Sequence, residues 1–139
     1  MPNAQDSRQI RVLIADDHPL YIETLALVLA ADDRIEVVGC AADGAQALEL
    51  AFQLRPHVVL MDVHMPRVDG IVATSRLRAD LPDIRVLMLS SSDALEDIKR
   101  ARDAGATAFL TKDGDGAAIV EDVVRVSAGR PALSAREAA

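Results

Sequence analysis

Aromatic residues are nearly missing from this chain. Tyr21, Phe52 and Phe109 are the only three and tryptophan is absent, so a core has to be built from Val, Leu, Ile, Ala and Met. Cysteine is limited to Cys40. That rules out an internal disulfide and suits a reducing compartment. Cys40 lies in an apolar run, where a small buried hydrophobe is the expected role. No apolar stretch reaches membrane-spanning length, and the polar N-terminus lacks the apolar segment of a secretion signal. A soluble, cytoplasmic protein with no membrane partner is expected. Basic residues are outnumbered, 15 against 22, for a net charge of −7. Phosphate contacts need clustered Lys and Arg, so no DNA binding is expected of this segment alone. What is present is a half-hydrophobic composition over 139 residues, enough for one domain with an ordinary core.

Short apolar runs alternate with longer amphipathic ones. Strands are expected at 10–15, 34–41, 57–61, 84–89 and 107–111. The first helix, 19–31, opens on Pro19 and carries Leu20, Leu25, Val28 and Leu29 near helical spacing. A second helix, 45–54, follows the Asp43-Gly44 turn and stops before Pro56. A third covers 71–79. Asp93 is the expected cap of a fourth ending at Ala104, with Gly105 as a left-handed stop. The fifth runs from about 115 to 128, and Gly129-Arg130-Pro131 breaks it. Helical crossovers imply parallel strands with right-handed connections. The expected fold is α/β, a five-stranded flavodoxin-like (βα)5 sheet in order 2-1-3-4-5 with helices on both faces. Strands one, three and four are continuously apolar, as central strands are; two and five are mixed, as edges are. The expected division is a disordered tail at 1–9, a domain at 10–128, and a tail or linker at 129–139.

The ends of these strands carry the chemistry. The first runs into Asp16-Asp17, the third into Asp62, the fourth into Ser90 and the fifth into Lys112. Strand C-termini of a parallel sheet share one edge, and ligands bind there, above all at the switch point between strands one and three. An Asp-Asp pair alone is more often a solvated turn. Three carboxylates converging on one edge would repel and resist ionisation. A hard cation relieves that, and Mg²⁺ takes few carboxylates while keeping room for phosphate oxygens. Lys112 can neutralise charge as a compact ammonium. Phosphoryl transfer to a carboxylate needs positioning and charge neutralisation more than acid–base chemistry. His18 and His64 flank the cluster, but the spacing lacks a zinc pattern. His57 reads as a surface residue at a strand start, and Gly70 and Gly105 as backbone punctuation.

Ala15-Asp16-Asp17-His18-Pro19-Leu20, Leu60-Met61-Asp62-Val63-His64-Met65-Pro66-Arg67-Val68-Asp69-Gly70, Leu87-Met88-Leu89-Ser90 and Gly105-Ala106-Thr107-Ala108-Phe109-Leu110-Thr111-Lys112-Asp113 together resemble the receiver domain of bacterial two-component response regulators. The resemblance covers residues 10–128. It implies that Asp62 accepts a phosphoryl group from a sensor histidine kinase. It implies that Asp17, Asp62 and the backbone carbonyl of His64 hold Mg²⁺ (or Mn²⁺), with Asp16 helping through water. Ser90 would be the switch hydroxyl, Phe109 the switch aromatic and Lys112 the phosphate partner. Asp-Asp-His-Pro-Leu, and Asp113 where most receivers have proline, are similar to the NarL/FixJ (LuxR-type) group of transcription regulators. In that group a helix-turn-helix domain follows the receiver and binds DNA, and a homodimer can form on phosphorylation. Such a domain is a signalling device rather than an enzyme, catalysing only its own phosphoryl transfer and dephosphorylation.

Three other functions compete. A metal-dependent phosphohydrolase working through an aspartyl phosphate would place a second aspartate two residues after the first, where this chain has His64, and would add a capping insertion. An interaction module that is never phosphorylated would not need Asp16, Asp17, Asp62, Ser90 and Lys112 together. A flavin site would need a Ser/Thr/Gly cradle and flanking aromatics, which the loops lack.

Overall fold

The protein is described by a computed structural model covering residues 9–137. The expected tail at 1–9 therefore lies outside the described residues except for Gln9. Ten elements alternate: β1 (Ile10–Ala15), α1 (Pro19–Ala30), β2 (Ile35–Ala41), α2 (Gly44–Leu54), β3 (Val58–Asp62), α3 (Gly70–Asp80), β4 (Arg85–Ser90), α4 (Leu95–Ala104), β5 (Ala108–Thr111) and α5 (Gly116–Ser127). The five strands form one sheet in the order β2-β1-β3-β4-β5, and all four pairings are parallel.

Period-two alternation along the central strands divides the core. Leu13, Ala15, Val59, Met61, Val86 and Met88 face a layer formed by α2, α3 and α4. Val12, Ile14, Val58, Leu60, Leu87 and Leu89 face α1 and α5. Every residue of β3 is buried, including its last, Asp62. Burial on both faces explains why these strands read as unbroken apolar runs. The ladder also runs one residue further than the hydrophobic pattern indicates: Asp62 pairs with Leu89, and Ser90 with Thr111. Two of the candidate site residues are thus strand members, held by the sheet rather than by loops.

Helix starts follow side-chain chemistry in three cases. Asp43 accepts from the N–H of Gln46, Asp69 from that of Val72 and Asp115 from that of Ala117, each filling an orphan donor of the first turn. The fourth helix differs from expectation, since its N-cap is Ala94 and Asp93 makes no cap. The cause is a hydroxyl ladder before it. The Ser92 N–H donates to Ser90 Oγ and the Ala94 N–H to Ser92 Oγ, which holds 90–94 out of the helix. Glu96 and Asp97 in the first turn complement its dipole instead.

Other expectations are corrected. Leu20 is 78% exposed and outside the apolar face of α1. Cys40 is exposed, because β2 is an edge strand with a bulge opposite Val12 and Leu13. Within the stretch expected as a tail or linker, Ala132 and Ala135 pack on the cluster under α5. Gly70 is more than punctuation. A Cβ there would stand 1.8 Å from the carbonyl oxygen of Asp62, so only glycine lets α3 begin against the end of β3. Gly105 is the left-handed stop of α4 at φ 98°.

Gly70→Ala is expected to lower stability by about 1–3 kcal/mol, the usual cost of overpacking. Gly114→Ala, where a Cβ would come no closer than 3.5 Å to Thr111 O, should change it by less than about 0.5 kcal/mol. Urea denaturation of both variants checks the pair, and equal effects would mean that the approach at Gly70 is not tight.

Candidate functional site

The strand ends meet as the sheet order requires. β1 lies between β2 and β3, and the Asp16 N–H extends its ladder by donating to Ala41 O at 2.9 Å. The Lys112 N–H donates to Ser90 O at 2.8 Å, which continues β5 alongside β4. These backbone bonds fix where four side chains start.

The side chains converge on Asp62. The Lys112 ammonium lies 2.6 Å from Asp16 Oδ2 and 3.5 Å from Asp62 Oδ2. Asp16 is 1% and Asp62 4% exposed. Both Oδ2 atoms are buried with no donor other than the Lys112 ammonium within reach. Asp17 is the exposed member. Ligand atoms of Asp16, Asp17, His18 and Asp62 lie within 4.8 Å of one another, spacing that could hold a metal ion. Orphaned carboxylate oxygens in a buried, acid-rich cleft suit a hard cation.

Burial pushes the Asp62 carboxyl up to about 6, and the Asp16 charge adds to the rise; Lys112 opposes it and Asp17 adds a further increment. Burial first, then the charges of Asp16 and Asp62, pushes the Tyr21 phenol up to about 12.

Ser90 is buried at the end of β4. Its oxygen accepts the Ser92 N–H at 3.1 Å, which leaves its own proton free to donate. Phe109, 3% exposed, belongs to the cluster facing α4. Its ring lies inside the core. The His64 imidazole is not part of the carboxylate cluster; its Nε2 pairs with Asp97 of α4 at 3.1 Å. His57 is a surface residue, as expected, with Nδ1 accepting the Arg11 N–H at 2.9 Å.

Two residues in the site are not assigned to it by sequence reasoning. His18 Nδ1 lies 2.9 Å from Asp16, 3.2 Å from Asp17 and 3.9 Å from Asp62. Pro19 opens the helix directly behind it, and the His18 N–H donates to Asp16 Oδ1, a local turn that folds the ring back over the aspartates. Tyr21 lies one helical step further, and Lys112 Nζ sits 4.7 Å from its ring centroid, within cation–π range. Its hydroxyl is buried without a partner. Adjacency to the Asp pair in sequence was the available signal for His18; for Tyr21 the signal was its place four residues on, in the first turn of α1.

Residues 12–124 match the response regulator receiver domain family. Among curated proteins, the transcriptional regulatory protein MctR of Rhizobium johnstonii is 41% identical over 121 residues, covering 87% of this chain and 56% of that protein. The response regulator protein VraR of Staphylococcus aureus is 38% identical over 120 residues, covering 86% and 57%. The chain spans little more than half the length of these relatives. Among solved structures, the signal receiver domain of the putative response regulator NarL from Mycobacterium tuberculosis superposes with a TM-score of 0.86 at 37% identity, over 88% of this chain and 99% of that one. A LuxR-family two-component response regulator from Aurantimonas gives 0.85 at 31% identity, over 91% and 90%.

The raised Asp62 carboxyl makes stability depend on pH. The folded state holds this proton more tightly than the unfolded chain, whose carboxyl titrates near 4. Stability is therefore lost as pH rises from about 4 to about 6, and then levels off. Without divalent metal, Asp62→Asn should gain on the wild type by about 1–3 kcal/mol between pH 4 and pH 7. Denaturant titrations across that range check it; parallel curves for the two proteins would contradict it.

Proposed function

The chain belongs to the response regulator receiver domain family, and on that premise we propose that Asp62 is its phosphoacceptor, loaded by a sensor histidine kinase. The observation that carries this reading is the position of Asp62. It is a buried carboxylate at the end of the central strand, with Lys112 3.5 Å away and one oxygen lacking a hydrogen-bond donor.

In the proposed reaction an Asp62 oxygen attacks the phosphorus of a phosphohistidine on the kinase. The O–P bond forms as the P–N bond breaks, and the electron pair leaves with the imidazole nitrogen. Asp16, Asp17 and Asp62, with the backbone carbonyl of His64, would hold Mg²⁺ or Mn²⁺; bound there, the cation neutralises phosphoryl oxygens as they approach the carboxylates. Lys112 supplies the opposing positive charge. Ser90, held in place by accepting the Ser92 N–H, donates its free proton to a phosphoryl oxygen. Tyr21 keeps the Lys112 ammonium aimed inward through its ring face. The inward position of the Phe109 ring is the one a phosphoryl group at Asp62 would favour, by a shift of population. The His64–Asp97 pair ties the loop after β3 to α4, an element open to change on phosphorylation, because hydroxyl bonds rather than a side-chain cap shape the approach to it. Dephosphorylation would use the same groups on a water molecule.

The relatives named as transcriptional regulators are longer than this chain, and by analogy we place the protein in the cytoplasm, controlling transcription through a helix-turn-helix domain that these residues do not include. Among the described residues no helix is long and apolar enough to cross a membrane. A homodimer formed on phosphorylation belongs to the same reading.

Acetyl phosphate with Mg²⁺ is expected to raise the intact mass by one phosphoryl group, and Asp62→Asn to abolish the gain; undiminished labelling of that variant would sink the assignment. Saturating Mg²⁺ should stabilise the wild type by roughly 1–3 kcal/mol at ten to a hundred times its dissociation constant, and Asp17→Ala should lose the effect in thermal melts. With a net charge of −7, these 139 residues should not shift DNA in a low-salt mobility assay, phosphorylated or not. Micromolar binding would show that a DNA-contacting surface lies within them.

A further inference from the structure

After α5 the chain folds back over the domain. The Arg125 guanidinium donates to Pro131 O at 2.7 Å. Asp122, on the buried face of α5, is 1% exposed and has no ion-pair partner among the described residues. Its two oxygens instead accept the backbone N–H groups of Leu133 at 2.7 Å and Ser134 at 3.2 Å. The Arg136 N–H then donates to Phe109 O at 2.7 Å, so the segment also attaches to the open edge of β5. Ala132 and Ala135 pack on the core. Burying a carboxylate is costly unless its lone pairs are filled. Here residues 131–137 fill them. Among the described residues the Asp122 carboxylate has no other hydrogen-bond or ion-pair partner, and it sits far along the sequence from the strand-end cluster.

The docked segment borders a groove of about 310 Å³ whose lining includes Ile98, Ala101, Phe109, Ala132, Ala135 and Arg136. Empty space thus lies against Phe109 on the side where α4 and the segment face each other. Phe109 and the docked segment border the same groove and are joined through the Phe109 carbonyl, so movement of one changes the surroundings of the other.

We propose that residues 131–137 are a strap recognised through its backbone by Asp122, and that strap docking and burial of the Phe109 ring favour each other. The functional consequence rests on the phosphoacceptor reading above: a phosphoryl group at Asp62, which favours the buried ring, tightens the strap. Binding linkage is reciprocal, so loosening the strap weakens binding of a phosphoryl mimic at Asp62 by the same factor, although no strap residue reaches the site.

The test is amide hydrogen exchange by NMR on the whole chain, with and without Mg²⁺ and beryllofluoride, in wild type, Asp122→Asn, Leu133→Pro and Arg136→Pro. Leu133 and Arg136 are exposed, so the proline variants each remove one strap N–H without touching the core, and they keep the test decisive if Asp122→Asn folds poorly. Leu133, Ser134 and Arg136 amides should exchange at least about tenfold more slowly than in a free peptide. Bound beryllofluoride should slow them roughly fivefold or more, and each strap variant should raise its dissociation constant by a similar factor. Leu133→Pro should also deprotect Arg136, and Arg136→Pro should deprotect Leu133. Unprotected amides in the wild type would overturn the strap. Protected amides that ignore bound beryllofluoride, or unchanged affinity in the variants, would overturn the coupling. The ¹⁹F signal of bound beryllofluoride separates the two readings: without it the phosphoacceptor assignment and the coupling both fall, while amide protection alone still decides whether the strap docks.

Discussion

One ammonium shared between two buried carboxylates is the constraint on which the rest depends. Lys112 stands 2.6 Å from Asp16 and 3.5 Å from Asp62, and both acids are almost wholly shielded from water. Burial first, and then the Asp16 charge that a single ammonium does not cancel, pushes the Asp62 carboxyl up to about 6. The cluster is therefore short of positive charge and of hydrogen-bond donors at once. Under the proposed function a divalent cation would supply the charge, and a phosphoryl group brought in with it would meet Lys112 and the Ser90 hydroxyl. Such preorganised charge is what the proposed phosphoacceptor role requires.

The sheet makes such an arrangement tolerable. Parallel pairing carries Asp62 and Ser90 as ladder members, so repulsion from Asp16 and Asp17 cannot push Asp62 aside without breaking strand hydrogen bonds. Gly70 lets α3 start against the carbonyl of Asp62, which closes the other side. Adaptability is left to the elements that follow: the hydroxyl-shaped start of α4 and the segment Asp122 holds against β5. Rigid strand ends joined to loosely tied outer elements form the kind of bistable pairing that conformational switches use.

Much of this was legible in the sequence because it follows from period and order. Continuous apolar runs marked β1, β3 and β4, crossover helices fixed their parallel sense, and the residue ending each run named Asp16, Asp17, Asp62, Ser90 and Lys112. What stayed hidden depends on contacts between segments distant in sequence or on local turns. His18 flanks the cluster in sequence, but only the turn at Asp16 shows that its ring folds over the aspartates. Tyr21 gave no sign that Lys112, 91 positions away, would rest on its ring. Asp122 looked like one more acid on an amphipathic helix, and its partners are backbone groups that carry no sequence signature. Asp93 had the composition of a cap, but the serine ladder before it took the role away.

The central claim is that Asp62 lies in a charge-starved cluster relieved by a divalent cation. Carbon-13 NMR titration of its carboxyl, with and without Mg²⁺, tests that claim most directly. A midpoint near 6 in metal-free protein, falling on addition of Mg²⁺, is the expected result. A midpoint near the ordinary carboxylate value of about 4, unmoved by Mg²⁺, would contradict it.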